Sequence, residues 1–242
     1  MRNILLIMVI ASVFGCAGRM LDAKSANKCV CEEKNPSQER MKRDSGKVVL
    51  VYTRNKDMGA LKAGTGFVVD KDGFIMTAKH VVEDPEAEYI FVKIIENGET
   101  IIKKAIKAYG SYLHDVAVLK INHTFKKAAK FSKNYIASGS PVYTIDFPLV
   151  GEKGLVYAIP AYSSGEFFKN ILHGKDNAPT QLSTLPVAPG FSGAPIFDAN
   201  GDVVGLVSLN FNFALRGSTF VFSVPADICG NVLELVKSEL KK

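Results

Sequence analysis

The chain has 242 residues, of which 47% are hydrophobic and 22% charged, with a net charge of +6 and a pI near 9.0. This excludes a disordered or fibrous chain and allows one large all-β domain or two small lobes around a sizeable core. The lysines form only short clusters, at Lys103, Lys104 and Lys107 and at Lys126, Lys127, Lys130 and Lys133, with no aromatic residues interleaved in a basic motif. A solvated basic surface therefore accounts for the charge, and no nucleic-acid partner is expected.

Arg2 precedes an apolar run from Ile4 to Phe14. The run is short for a bilayer span but suits the core of a signal peptide. It ends in Val13-Phe14-Gly15-Cys16, which resembles the lipobox of bacterial lipoproteins. That resemblance implies a signal peptide over residues 1–15, a lipid on Cys16, and an exported protein held at a membrane of the cell envelope. Phe14 departs from the small residue usual at its position, and an uncleaved signal anchor or a conventional signal peptide are the alternative readings. Residues 16–46 are polar and charged without helical or strand periodicity, and read as a tether with a reach of roughly 30 Å. The remaining cysteines are Cys29, Cys31 and Cys229. Export permits a disulfide from Cys29 or Cys31 to Cys229, although an odd count leaves a thiol over. Cys29-Val30-Cys31 lacks the partner ligands of a zinc site, so no metal or other cofactor is expected.

From residue 47 the pattern changes to short β-branched runs. Strands are predicted over 47–53, 64–70, 74–77, 87–95, 100–109 and 116–121, with turns at Asp72-Gly73 and Glu96-Asn97-Gly98. These six form a first barrel within residues 47–125. After a lysine-rich connection over 126–138, six more strands over 141–147, 154–162, 179–185, 194–197, 203–209 and 218–224 form a second barrel within 139–225. Turns are expected at 174–177 and at Asn200-Gly201. The close spacing of strands and the scarcity of helix give an all-β fold of two six-stranded antiparallel barrels, with no βαβ alternation. Residues 226–240 carry helical periodicity and form a C-terminal helix that packs back on the second barrel.

Three segments carry chemistry. Pro189-Gly190-Phe191-Ser192-Gly193-Ala194-Pro195 sets a serine in a glycine turn before a strand, Thr77-Ala78-Lys79-His80 sets a histidine just after one, and His114-Asp115-Val116 sets an aspartate at the mouth of another. A serine hydroxyl becomes a nucleophile only when a base takes its proton and a carboxylate orients that base. The order His80, Asp115, Ser192 supplies all three. With Gly64-Thr65-Gly66-Phe67-Val68-Val69-Asp70 before the histidine and Gly201-Asp202-Val203-Val204-Gly205-Leu206 after the serine, the pattern over residues 47–228 resembles the trypsin-like serine proteases, and most closely the HtrA (Deg) protease domain.

The resemblance implies the chymotrypsin-type double barrel over residues 47–242. It also implies a serine endopeptidase acting on unfolded or extended polypeptides through an acyl-enzyme, with an oxyanion hole formed by the amides of Gly190 and Ser192. Phe191 and Ala194 depart from the Asn and second Gly of the motif; Phe191 is expected to supply only its backbone to the turn. Pro186 and Val187 line the base of the primary pocket, and Ser208, Leu209, Asn210 and Phe222 its walls. No carboxylate waits there for a basic side chain, so small or medium apolar P1 residues are expected. His114 is expected to face away from Asp115, and His123 and His173 to sit exposed in turns. Lys79 is expected to be an exposed lysine. Only Lys241 and Lys242 follow the last helix, leaving no length for the PDZ domains that many HtrA proteins carry. The tether lacks the aromatic residues through which HtrA proteases trimerise, which leaves the oligomeric state open. Residues 147–154 form the loop suspected of gating the site. The rival reading is a catalytically quiet peptide-binding envelope lipoprotein of the same fold.

Overall fold

The computed structural model describes residues 36–149, 160–173, 178–186, 188–215 and 218–240. The signal-peptide, Cys16, Cys29 and Cys31 readings lie outside them. The body over 35–242 is built from β1 (Val48–Arg54), β2 (Ala60–Asp70), β3 (Phe74–Thr77), β4 (Tyr89–Glu96), β5 (Glu99–Gly110) and β6 (Ala117–Lys120), which close a barrel in the order β1-β2-β3-β6-β5-β4. A second barrel closes as β10-β11-β12-β9-β8-β7, from β7 (Pro141–Asp146), β8 (Ala161–His173), β9 (Ala178–Ser183), β10 (Pro195–Phe197), β11 (Val203–Leu215) and β12 (Ser218–Pro225). Asn97 and Gly98, both at positive φ, make the two-residue hairpin between β4 and β5.

β1 is buried on both faces at Val48, Val49, Leu50 and Val51, since one face fills its barrel and the other meets neighbouring elements. One apolar cluster runs from Phe67, Ile75, Val118 and Leu119 of the first barrel to Tyr143, Ile145, Phe147 and Phe197 of the second. A smaller cluster around Phe167, Leu185, Phe191 and Val221 fills the second barrel itself. The helix α3 (Ala226–Glu239) buries Cys229, Val232, Leu233 and Val236 against the larger cluster. Among the described residues Cys229 is a fully buried thiol with no disulfide partner, and Cys29 and Cys31, the partners that export would permit, lie outside them. Burial pushes the pKa of Cys229 far above the ordinary thiol range, so it is inert rather than reactive.

Two elements depart from the sequence reading. Of the strand expected over 154–162, residues 154–159 lie outside the described residues, as does the turn at 174–177, and β8 begins at Ala161 and runs on to His173, beyond the expected end. The last part of the expected tether is folded. Helix α1 (Pro36–Asp44) leads through a 3-10 turn (Ser45–Lys47) into β1. Its sequence, PSQERMKRD, lacks an apolar stripe because it is fastened by polar contacts. Asp44 is fully buried and accepts from the Tyr143 hydroxyl at 2.7 Å and from Arg43 Nε at 2.8 Å, with Lys47 Nζ at 2.7 Å. Burial alone would raise the pKa of Asp44, but the bonds from Lys47, Tyr143 and Arg43 outweigh it and hold the carboxyl below its ordinary range.

Candidate active site

Thr77 ends β3, and the chain turns at Ala78 into the single-turn helix α2 (Lys79–Val82), which carries His80 out of the sheet. Lys62 on β2 fastens this turn by donating to the His80 carbonyl at 3.2 Å and the Glu83 carbonyl at 2.9 Å. Opposite, Val116 leads into β6 and leaves Asp115 at its mouth. The two residues meet twice. Asp115 Oδ1 accepts the His80 backbone N–H at 2.9 Å, and Asp115 Oδ2 accepts the ring Nδ1–H at 2.7 Å. Burial pushes the Asp115 carboxyl up, while hydrogen bonds from the His80 ring, from Ser208 and from the His80 amide pull it down further, so it stays ionised below the usual carboxylate range. The stability this supplies is present above the ordinary Asp range and is lost as pH falls through the lowered value.

Ser208 does something the sequence reading missed. Expected as a pocket wall, it also donates its hydroxyl to Asp115 Oδ2 at 2.7 Å, so a β11 side chain from the second barrel braces an aspartate of the first. A lone serine in an apolar strand gives no pattern by which sequence reasoning could have assigned this. The other expected pocket residues are described only in part. Pro186 is exposed, Val187 lies outside the described residues, and Leu209 and Asn210 lie on β11 with side chains outside the description. Phe222 is half-buried and lines a cavity of about 120 Å³ with Leu113, His114, Asp115, Pro179 and Ser208.

Three other histidine and lysine expectations also change. His114 does not alternate with Asp115 along a strand, because β6 begins at Ala117; it is half-buried in the preceding loop. His123 is not free in a turn: its ring packs edge-on to Phe125 and its Nε2 lies 3.4 Å from Glu96. Lys79 Nζ lies 3.4 Å from Glu83 in an i,i+4 pair. The side chain of His173 is outside the description.

The serine turn is held by both barrels. Thr65 on β2 donates its amide to the Ser192 carbonyl at 2.8 Å and its hydroxyl to the Gly190 carbonyl at 2.7 Å. The amides of Phe191, Gly193 and Ala194 are spent on Ala188 O, Val207 O and Phe191 O. Among the described residues those of Gly190 and Ser192 have no hydrogen-bond acceptor. Gly190 needs its positive φ of 106°, and a Cβ there would stand 2.2 Å from the Phe147 carbonyl. The Phe191 ring is buried in the second-barrel cluster, correcting the expectation that only its backbone matters: the side chain pins the turn from inside. The Ala194 methyl is fully buried in the same cluster. The start of the suspected gating loop is bound to this turn, since Phe147 N–H donates to Thr65 Oγ1 at 3.0 Å and Leu149 N–H to Pro189 O at 2.8 Å; residues 150–154 lie outside the description. Among the described residues no hydrogen bond joins the Ser192 hydroxyl to the His80 ring, and no cluster of three or more His, Cys, Asp or Glu is arranged to hold a metal. Among them, too, no helix is long and apolar enough to cross a membrane.

Asp146, at the end of β7, is fully buried with no hydrogen-bond partner for either carboxyl oxygen. Desolvation raises its pKa to about 7. Between the ordinary Asp value and 7 the unfolded chain releases this proton before the folded one does, so this group lowers stability as pH rises across that window, by about 1.4 kcal/mol per unit.

The same two-barrel frame is found in solved proteins. A serine endoprotease from Yersinia pestis superposes with a TM-score of 0.66 at 25% identity, covering 83% of this chain and 66% of that one. Among curated proteins, a probable periplasmic serine endoprotease DegP-like of Hahella chejuensis is 29% identical over 201 residues, covering 77% of this chain and 38% of that protein. The protein of the same description from Pseudomonas fluorescens is 30% identical over 190 residues, covering 74% and 36%. The chain thus spans little more than a third of the length of these relatives. The family model described as a trypsin-like peptidase domain matches residues 64–206, from the start of the β2 glycine motif that touches the serine turn to the β11 strand that closes it. With its barrels, its chain order and more than half its length accounted for by that model, this chain belongs to the trypsin-like peptidase family.

Proposed function

We propose that the chain is a serine endopeptidase in which Ser192 attacks the peptide carbonyl, His80 takes and returns the proton, and Asp115 holds the imidazole in the working tautomer. The observation that carries this is the doubly bonded Asp115–His80 pair, with Nδ1–H fixed on the carboxylate so that Nε2 is left as the base. The two unengaged amides of Gly190 and Ser192 support an oxyanion hole, because donors already in place need no reorganisation as charge develops. The family and the relatives' names support polypeptides as substrates and an exported protein of the bacterial envelope, and the HtrA-like sequence pattern supports unfolded or extended ones. The lipobox-like Val13-Phe14-Gly15-Cys16 supports a lipid anchor on Cys16.

Covalent labelling of the purified protein by a fluorophosphonate tests the reaction. Labelling is expected in the unmutated protein and absent in Ser192→Ala and His80→Ala; a folded sample that never labels would refute it. Among the described residues no hydrogen bond joins Ser192 to His80, and this favours one rival, a quiet peptide-binding protein of the same fold; such contacts often tighten only when substrate is bound. The absence of an acidic residue at Pro186 or its neighbours supports cleavage after small or medium apolar residues. A peptide-library digest should therefore show cuts after Val, Ala or Leu, and efficient cutting after Arg would sink that preference.

A further inference from the structure

Asp146 is an anomaly with a mechanical setting. It shares its β7 face with Val142 and Thr144, of which Val142 lies in the second-barrel core. In register around it stand Ala161, Tyr162 and Ser163 on β8 and Ile196 and Phe197 on β10. Tyr162, the one titratable side chain among these, stacks on Tyr143, which points to the opposite face of β7. The turn over 188–192 carries no charged side chain, and Asp115 and His80 are engaged with each other. Among the described residues no Lys, Arg or His forms an ion pair with Asp146, so an ionised carboxylate there would be a buried charge without compensation.

The residues that follow Asp146 hold the serine turn. Phe147 N–H is bound to Thr65 Oγ1, whose hydroxyl is bound to Gly190 O, and Leu149 N–H is bound to Pro189 O. Phe147 O fills the space a Gly190 side chain would need. For the Asp146 side chain to reach water, the end of β7 must shift, and these contacts shift with it. Donors aimed at a developing oxyanion lose their effect when displaced.

We propose that Asp146 is a proton-controlled prop of the oxyanion turn: protonated, it packs inside the second barrel and the turn stands formed; ionised, it drives the end of β7 outward and Gly190 out of position. Its catalytic consequence rests on the serine-peptidase reading above. The protein is then active with Asp146 neutral and silenced as the medium turns alkaline. Asp146→Asn, a neutral side chain of the same shape, keeps the turn formed at either pH.

Two measurements on the full chain separate this from the reading it rests on. Amide exchange at Phe147 and Leu149, corrected for intrinsic rates, should lose at least tenfold protection between pH 6 and pH 8.5 in the unmutated protein and none in Asp146→Asn. Asp146→Ser serves if the asparagine variant does not fold. Fluorophosphonate labelling should fall about tenfold for each pH unit above 7 in the unmutated protein, as one ionisation requires, and stay level in the variant. Unchanged protection in the unmutated protein, or the same alkaline fall in both proteins, overturns the proposal. If labelling is absent at every pH while protection at Phe147 and Leu149 still follows pH, the proton control stands and the peptidase reading fails.

Discussion

Asp115→Asn is expected to lower turnover about 10⁴-fold while leaving the barrels folded. The carboxylate accepts three hydrogen bonds: from the His80 amide, the His80 ring and the Ser208 hydroxyl. An amide keeps one acceptor oxygen and turns the other contact into a donor. If its oxygen stays on the His80 amide, its NH₂ faces Nδ1 and forces the imidazole into the tautomer whose Nε2 already carries a proton. That nitrogen cannot then receive the Ser192 proton. The loss should fall on kcat more than on KM, since the substrate groove is untouched. A loss below a hundredfold, in a variant with an unchanged urea midpoint, would mean that Asp115 only scaffolds the loop.

Gly193→Ala is expected to be among the most damaging single-methyl changes in the molecule. Gly193 has φ of 85°, where an L side chain costs about 1–2 kcal/mol by itself. The new Cβ would stand 2.1 Å from the Thr65 carbonyl oxygen, 2.4 Å from Thr77 Oγ1 and 2.7 Å from the Ala78 nitrogen, all in the first barrel. Backbone cannot yield as a side chain can, so the total cost should exceed about 3 kcal/mol. Gly98→Ala is the matched control, with φ of 82° and nothing within 4 Å of the added methyl. It should cost only the conformational share. Equal urea midpoints for the two variants would show that the turn adapts and that the barrels are less tightly interlocked than their distances imply.

What could be read from the sequence follows from how locally each feature is encoded. The first barrel was legible because its strands are β-branched apolar runs and its turns carry Gly73, Asn97 and Gly98 at positive φ, signals contained within a few residues. β8 was not, because AYSSGEFFKNILH mixes polar and aromatic residues without a clean period, and its pairing partners lie elsewhere in the chain. Helix α1 was missed for the opposite reason: it is held by ion pairs and by Tyr143, a hundred residues away, and hydrophobic periodicity reports neither. His80 and Asp115 stood out because their flanks form a known pattern, whereas the bracing by Ser208 appears only once β11 is laid beside Asp115. Asp146 had a signal that went unused. In Val142-Tyr143-Thr144-Ile145-Asp146 the period of two puts the carboxylate on the face of Val142, which is the face that goes inside.

Thr65 belongs to the first barrel, yet its amide and hydroxyl hold the carbonyls on both sides of the Phe191 residue in the second. The nucleophile's setting is therefore not a property of the lobe that contains it. Severed between residues 126 and 138, neither fragment would hold a correctly shaped serine turn. Mixed together, the fragments would regain reactivity only to the extent that they bind each other. Such a pair would make a reporter whose signal appears on docking and vanishes on separation, with the threonine as its contact point.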